Sequence, residues 1–170
     1  MKRALFSAAT IALLLGVIAS AQIKDEIWAT VPVNTRIEFV ARAYDGSVFA
    51  YVQALWAAPG SEVFAGEIGP KLIAAARLMF DGREALMVFV APATTGYFWP
   101  TDLAFVQGYT QYGVGYGDYF ALSGPFSGQL LSGTVSVGFV ALPSALDLTK
   151  ALMLYYDDKM QGPMGPFRLP

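Results

Sequence analysis

The sequence predicts an all-β fold, an antiparallel sandwich of about seven to nine strands. Three observations predict it. Apolar and polar residues alternate with period two in several runs, and turn residues punctuate the chain at short intervals. Hydrophobic residues make up 55% against 14% charged, enough apolar mass to fill one core without staples.

Arg36 to Ala43 places Ile37, Phe39, Ala41 and Ala43 on one face and Arg36, Glu38 and Arg42 on the other, the pattern of a half-buried strand. Asp45-Gly46 supplies a tight hairpin turn, and Val48 to Trp56 returns as the partner. Pro59-Gly60-Ser61 closes this unit. Lys71 to Phe80 admits two readings. Pro70 before it, three consecutive alanines and Asp81-Gly82 after it suit a short helix. The same Asp81-Gly82 would join it to the next strand as a hairpin, and a strand is preferred because that explains both flanks.

Ala85 to Ala91 is apolar on both faces, marking a central strand or one covered by a partner. Gly96 and Pro100 bracket an aromatic corner of Tyr97, Phe98 and Trp99, and Leu103 to Val106 is a short strand. Thr134 to Val140 is expected to turn Val135, Val137 and Phe139 inward and Thr134, Ser136 and Gly138 outward. Ala151 to Tyr156 buries Leu152, Leu154 and Tyr156, or the opposite set. Turn signals about every 8–12 residues are those of an immunoglobulin-like sandwich.

Ahead of the strands stands a different segment. Lys2 and Arg3, an apolar run from Ala4 to Ala19, and Ala19-Ser20-Ala21 read as an export signal cleaved before Gln22, with an uncleaved anchor as the alternative. The run is shorter than a membrane span. The predicted organisation is a signal helix over 1–21, a β-sandwich domain over 22–156, and a Gly/Pro-rich tail over 157–170 with room for one edge strand near Phe167. Localisation follows: exported, to the periplasm, the cell surface or the medium, with no membrane insertion after cleavage.

The chain has no cysteine and no histidine. A Ser-His-Asp or Cys-His site cannot be built, disulfides are excluded, and zinc, copper, haem and iron–sulfur centres lose their usual ligands. Beyond Ala21 there are 9 basic and 13 acidic residues, the basic ones scattered singly, so a nucleic-acid partner is not expected. No cofactor or metal is expected.

From Ala85 to Asp157 the order of features resembles the telokin-like, immunoglobulin-like domain of small bacterial exported proteins. The matching features are Leu86-Met87-Val88-Phe89-Val90, Trp99-Pro100-Thr101-Asp102, Leu103 to Val106, Gly108 to Tyr112 and Phe120. They continue as Leu130-Leu131-Ser132-Gly133, Val137 to Pro143, and Leu152 to Asp157. The resemblance implies an extracytoplasmic sandwich and carries over no catalytic residues. The lipid-attachment cysteine common among such proteins is absent here.

Few constellations could carry chemistry. Gly113-Val114-Gly115-Tyr116-Gly117 lacks the flanking strand and helix of a phosphate loop and reads as a mobile inter-strand loop. Asp157-Asp158 lacks the spacing of a calcium loop. Asp102 and Asp118 could be nominated as paired acids of a hydrolase, but they read more simply as turn residues. The aromatic residues are more informative. Tyr97, Trp99, Tyr109, Tyr112, Tyr116 and Tyr119 either cap the core or form a surface for a ligand or partner. Low charge and the two-faced strand favour a non-catalytic module that binds a protein partner or self-assembles at the cell envelope. A carbohydrate-binding module using the exposed aromatics is the alternative, and a carboxylate-only hydrolase the third reading.

Overall fold

The computed structural model describes residues 25–167, so the predicted signal segment lies outside the described residues. A short helix, α1 (Asp25–Thr30), leads into β1 (Arg36–Arg42) and β2 (Val48–Trp56). Helix α2 (Ile68–Met79) follows, then β3 (Ala85–Pro92), β4 (Gly96–Phe98), β5 (Leu103–Gln107) and β6 (Thr110–Gly113). The chain continues through β7 (Tyr119–Ser123), β8 (Gly128–Leu130), β9 (Ser136–Ala141), β10 (Leu152–Tyr156) and β11 (Lys159–Met164). Strand pairing is antiparallel in three sheets, ordered β1-β2-β3-β9-β7, β11-β10-β5-β6 and β4-β8. The β-rich antiparallel architecture agrees with the sequence reading. Among the described residues no helix is long and apolar enough to cross a membrane.

The centre of the five-stranded sheet, β3 and β9 with the adjoining part of β2, is buried on both faces. Residues Phe39, Val52, Leu86, Val88 and Val140 share one core with Leu103, Phe105, Leu152 and Leu154 of the four-stranded sheet. Leu55, Met87, Phe89, Val137 and Phe139 share a second core with Trp28, Phe64, Leu72, Ile73, Ala76 and Phe80. The molecule is thus a sandwich with a helical cover, and β3 is apolar on both sides because both sides are covered within the chain. Strand β9 behaves likewise. Ser136 and Gly138, expected to face outward, are buried toward the other sheet, and the Phe126 ring occupies the space a Gly138 side chain would need.

Residues 71–80 correct the sequence reading: they belong to helix α2, not to a strand. Pro70 sits in the first turn, where its missing N–H costs nothing. Leu72, Ile73, Ala76 and Phe80 fall on one side at helical spacing and enter the second core. Asp81 (φ 53°) and Gly82 (φ 84°) then turn left-handed, and Gly82 N–H donates to the Arg77 carbonyl at 2.7 Å. That bond, spanning six residues, is a Schellman-type helix stop. An Asp-Gly pair of this conformation serves a hairpin or a helix end equally, which is why the flanks misled.

Helix and sheet are also tied by polar contacts. Trp56 Nε1 donates to Glu84 Oε2 at 3.0 Å, and the Arg77 guanidinium pairs with the other Glu84 oxygen. The tail is more regular than its Gly/Pro content suggested, since β11 extends the four-stranded sheet from Lys159. Asp157 and Asp158, with φ of 50° and 57°, form the two-residue turn that joins β10 to it.

Candidate functional site

The two-stranded ribbon β4–β8 has an inner and an outer face. Period-two geometry sends Phe98 and Leu130 inward, where both are fully buried. Phe98 lies near-parallel to Tyr156 (5.3 Å between centroids, 10°) and tilts against Phe126 at 5.9 Å. The same geometry sends Tyr97 outward, with Gln129 directly opposite it on β8. Trp99, two residues on, continues that face.

Tyr97 and Trp99 meet there. Their rings are near-parallel at 11°, with centroids 6.3 Å apart, while 61% and 41% of the two residues stay exposed. A parallel pair at this spacing is an offset arrangement, favourable for ring quadrupoles. The Trp99 ring is seated beside the Gly128 backbone: a Cβ on Gly128 would lie 3.9 Å from Trp99 Cη2. Exposed Leu131 and the Tyr119–Ser127 hydroxyl pair (3.3 Å) flank the ribbon in sequence and register.

The other aromatic candidates divide. Tyr112 is half-buried and packs on the inter-sheet core, as does Tyr119, whose ring is 6.4 Å from Phe126. Tyr109 and Tyr116 are largely exposed, the first at the tip of the β5–β6 hairpin and the second in the loop before β7. Of the six, the structure brings together Tyr97 and Trp99 as a surface pair, and gives Tyr112 and Tyr119 packing roles. Gln129 and Ser127 were missed from sequence, because without the β4–β8 register nothing marks them as neighbours of the aromatic corner.

Tyr156, stacked against Phe98, is itself buried. Burial raises the Tyr156 phenol well above its ordinary value, and the Asp102 charge adds to this, while a hydrogen bond from the Trp99 backbone works in the opposite direction. Asp102 is itself raised, first by burial and then by the like charges of Asp157 and Asp158. Asp118 is held below the usual carboxylate range: burial acts to raise it, but the Gly115 N–H and Arg83, at 2.7 Å, outweigh that. The two acids considered as a hydrolase pair thus sit in separate arrangements, Asp118 being locked to Arg83. Among the described residues, no group of three or more acidic side chains is placed to hold a metal ion.

The Asp102 shift has a measurable consequence. A carboxyl whose folded-state pKa is raised loses stability for the fold once ionised, so the penalty is present above that pKa and disappears as pH falls through it. Asp102→Asn is therefore expected to raise the melting temperature at pH 7 and to make no difference below the ordinary carboxylate range. Thermal melts of both proteins at neutral and acid pH check this, and a neutral-pH loss of stability would contradict it.

Comparisons with protein-family models, with curated proteins and with solved structures gave no match.

Proposed function

We propose that this chain is an exported, non-catalytic binding module of the telokin-like, immunoglobulin-like kind, and that its binding surface is the Tyr97–Trp99 platform for sugar rings. The observation that carries the reading is the pair itself: two near-parallel aromatic rings left open on a ribbon whose opposite face is fully buried. Exposing two large rings side by side forfeits the burial that each could gain in a core. The apolar C–H face of a pyranose lies flat on such rings, and Gln129 on the neighbouring strand offers an amide to ring hydroxyls. The sequence supports the rest of the reading through its signal-like N-terminus and its lack of histidine and cysteine. A protein partner, the first reading from sequence, becomes the second here, and it falls to solvent-facing surfaces, since both sides of β3 are occupied within the chain.

The test is direct because the tryptophans differ. Trp28 and Trp56 are 8% and 7% exposed, so Trp99 is the tryptophan a ligand reaches. Titration with soluble oligosaccharides, alongside pull-down on insoluble polysaccharides, is expected to shift the emission of wild type. Trp99→Ala should weaken binding by about tenfold or more and abolish the emission change. Tyr97→Ala should weaken it while leaving the melting temperature unchanged. Absence of any glycan response, or binding indifferent to both substitutions, removes the proposal.

A further inference from the structure

Four strands lie at the edges of the two large sheets, and three of them are blunted against further pairing. Strand β1 carries Arg36, Glu38 and Arg42, pairs with β2 through a register shift between Ala41 and Arg42, and has its start covered through the Gly165 N–H to Asn34 carbonyl bond at 2.5 Å. Strand β7 is bulged between Ala121 and Ser123. Strand β11 contains Lys159 and Pro163 and pairs with β10 through an irregular register. Charges, prolines and bulges are the devices by which sheets avoid adding strands. Strand β6 has none of them. Its residues Thr110, Gln111, Tyr112 and Gly113 are uncharged, it pairs with β5 without a bulge, and 108–117 contains no charge and no proline.

The register says which backbone groups are free. Gly108 (φ 63°) opens a two-residue turn between Gln107 and Thr110, which makes those two the first hydrogen-bonded pair of the hairpin. Alternation then turns the N–H and C=O of Tyr112 toward β5 and those of Gln111 and Gly113 away from it. The Val114 N–H bond to the Leu103 carbonyl, at 3.2 Å, has the same phase. Gln111 and Gly113 are both exposed, and nothing stands within 4 Å of where a Gly113 side chain would begin.

We propose that β6 is a strand-addition edge, and that its occupant is β6 of a second copy of this chain, paired antiparallel about a twofold axis at Tyr112. The free groups are self-complementary in that register. Gln111 of each copy lies opposite Gly113 of the other, so two donors and two acceptors per copy are all satisfied. Tyr112 faces its own symmetry mate as a close, non-hydrogen-bonded aromatic pair. No charge opposes its like across the axis, and the two four-stranded sheets become one. This interface is independent of the Tyr97–Trp99 platform.

Sedimentation velocity of the full chain over a concentration series tests it, with Gln111→Pro, Gly113→Lys and Tyr97→Ala beside wild type. Wild type should show a monomer–dimer equilibrium. Gln111→Pro removes an outward N–H that β5 does not use, and Gly113→Lys brings a charge to the edge. Each should weaken association by about tenfold or more with an unchanged circular dichroism spectrum, and Tyr97→Ala should dimerise as wild type does. Amide exchange at Gln111 and Gly113 should also slow as wild-type concentration rises, a reading that does not depend on any variant folding. A wild-type monomer at every concentration overturns the proposal. So does a dimer indifferent to Gly113→Lys, or one lost with Tyr97→Ala.

Discussion

Phe126→Ala is expected to destabilise the fold by about 3–5 kcal/mol, and Gly138→Ala by about 1–3 kcal/mol. The two effects share one cause. Gly138 lies within β9, buried on the side that faces the other sheet, and the Phe126 ring lies where its side chain would otherwise be. Phe126 is 2% exposed and touches Phe98 and Tyr119 as well, so its removal leaves a hole at the junction of ribbon and sheets. Adding a methyl group at Gly138 forces the ring out of that position. In the double variant the new methyl group enters space the ring has vacated. The combined loss should therefore fall short of the sum by about 1 kcal/mol or more. Urea denaturation of the four proteins measures this, and strictly additive losses would show that ring and glycine do not compete for space.

Phe98→Ala is expected to cost about 3–5 kcal/mol, whereas Tyr97→Ala, one residue away, should stay within about 0.5 kcal/mol of wild type. Phe98 is the inward anchor of the ribbon, parallel to Tyr156 and fully buried with Leu130. Tyr97 stands on the opposite face with most of its surface in water. The contrast separates support from recognition. Loss of the anchor should reduce stability and ligand binding together, while loss of the outer ring should reduce binding alone. Denaturation curves and oligosaccharide titrations on both variants decide it, and comparable stability losses would mean the ribbon is not two-faced in the manner described.

Much of the fold could be read from the chain, and the failures have physical reasons. The β1–β2 hairpin was legible because alternation in Ile37, Phe39 and Ala41 agrees with the Asp45-Gly46 turn. The strand at Thr134 to Val140 was also found, but its sides were misjudged. Serine and glycine count as polar or neutral in a periodicity, whereas here small residues make room for a ring from elsewhere. Helix α2 was misread because Asp81-Gly82 is equally a hairpin turn and a helix stop, and only the tertiary partner of Leu72 and Ile73 resolves it. The aromatic residues stand out in the sequence only as a group. Which of them are open depends on the β4–β8 and β5–β6 registers, and those pairings leave no local mark in the sequence.

The nesting of the sheets bears on how the chain reaches this state. Strands β3 and β9 are neighbours at the heart of the five-stranded sheet, yet the entire ribbon, the β5–β6 hairpin and β7 lie between them along the chain. Joining Ala85 to its partner Ala141 closes a long loop before any interior contact compensates the lost chain entropy. A topology with such distant pairings at its centre belongs among slow folders, and the apolar edge of β3 that β9 will cover is the segment left waiting while that closure occurs.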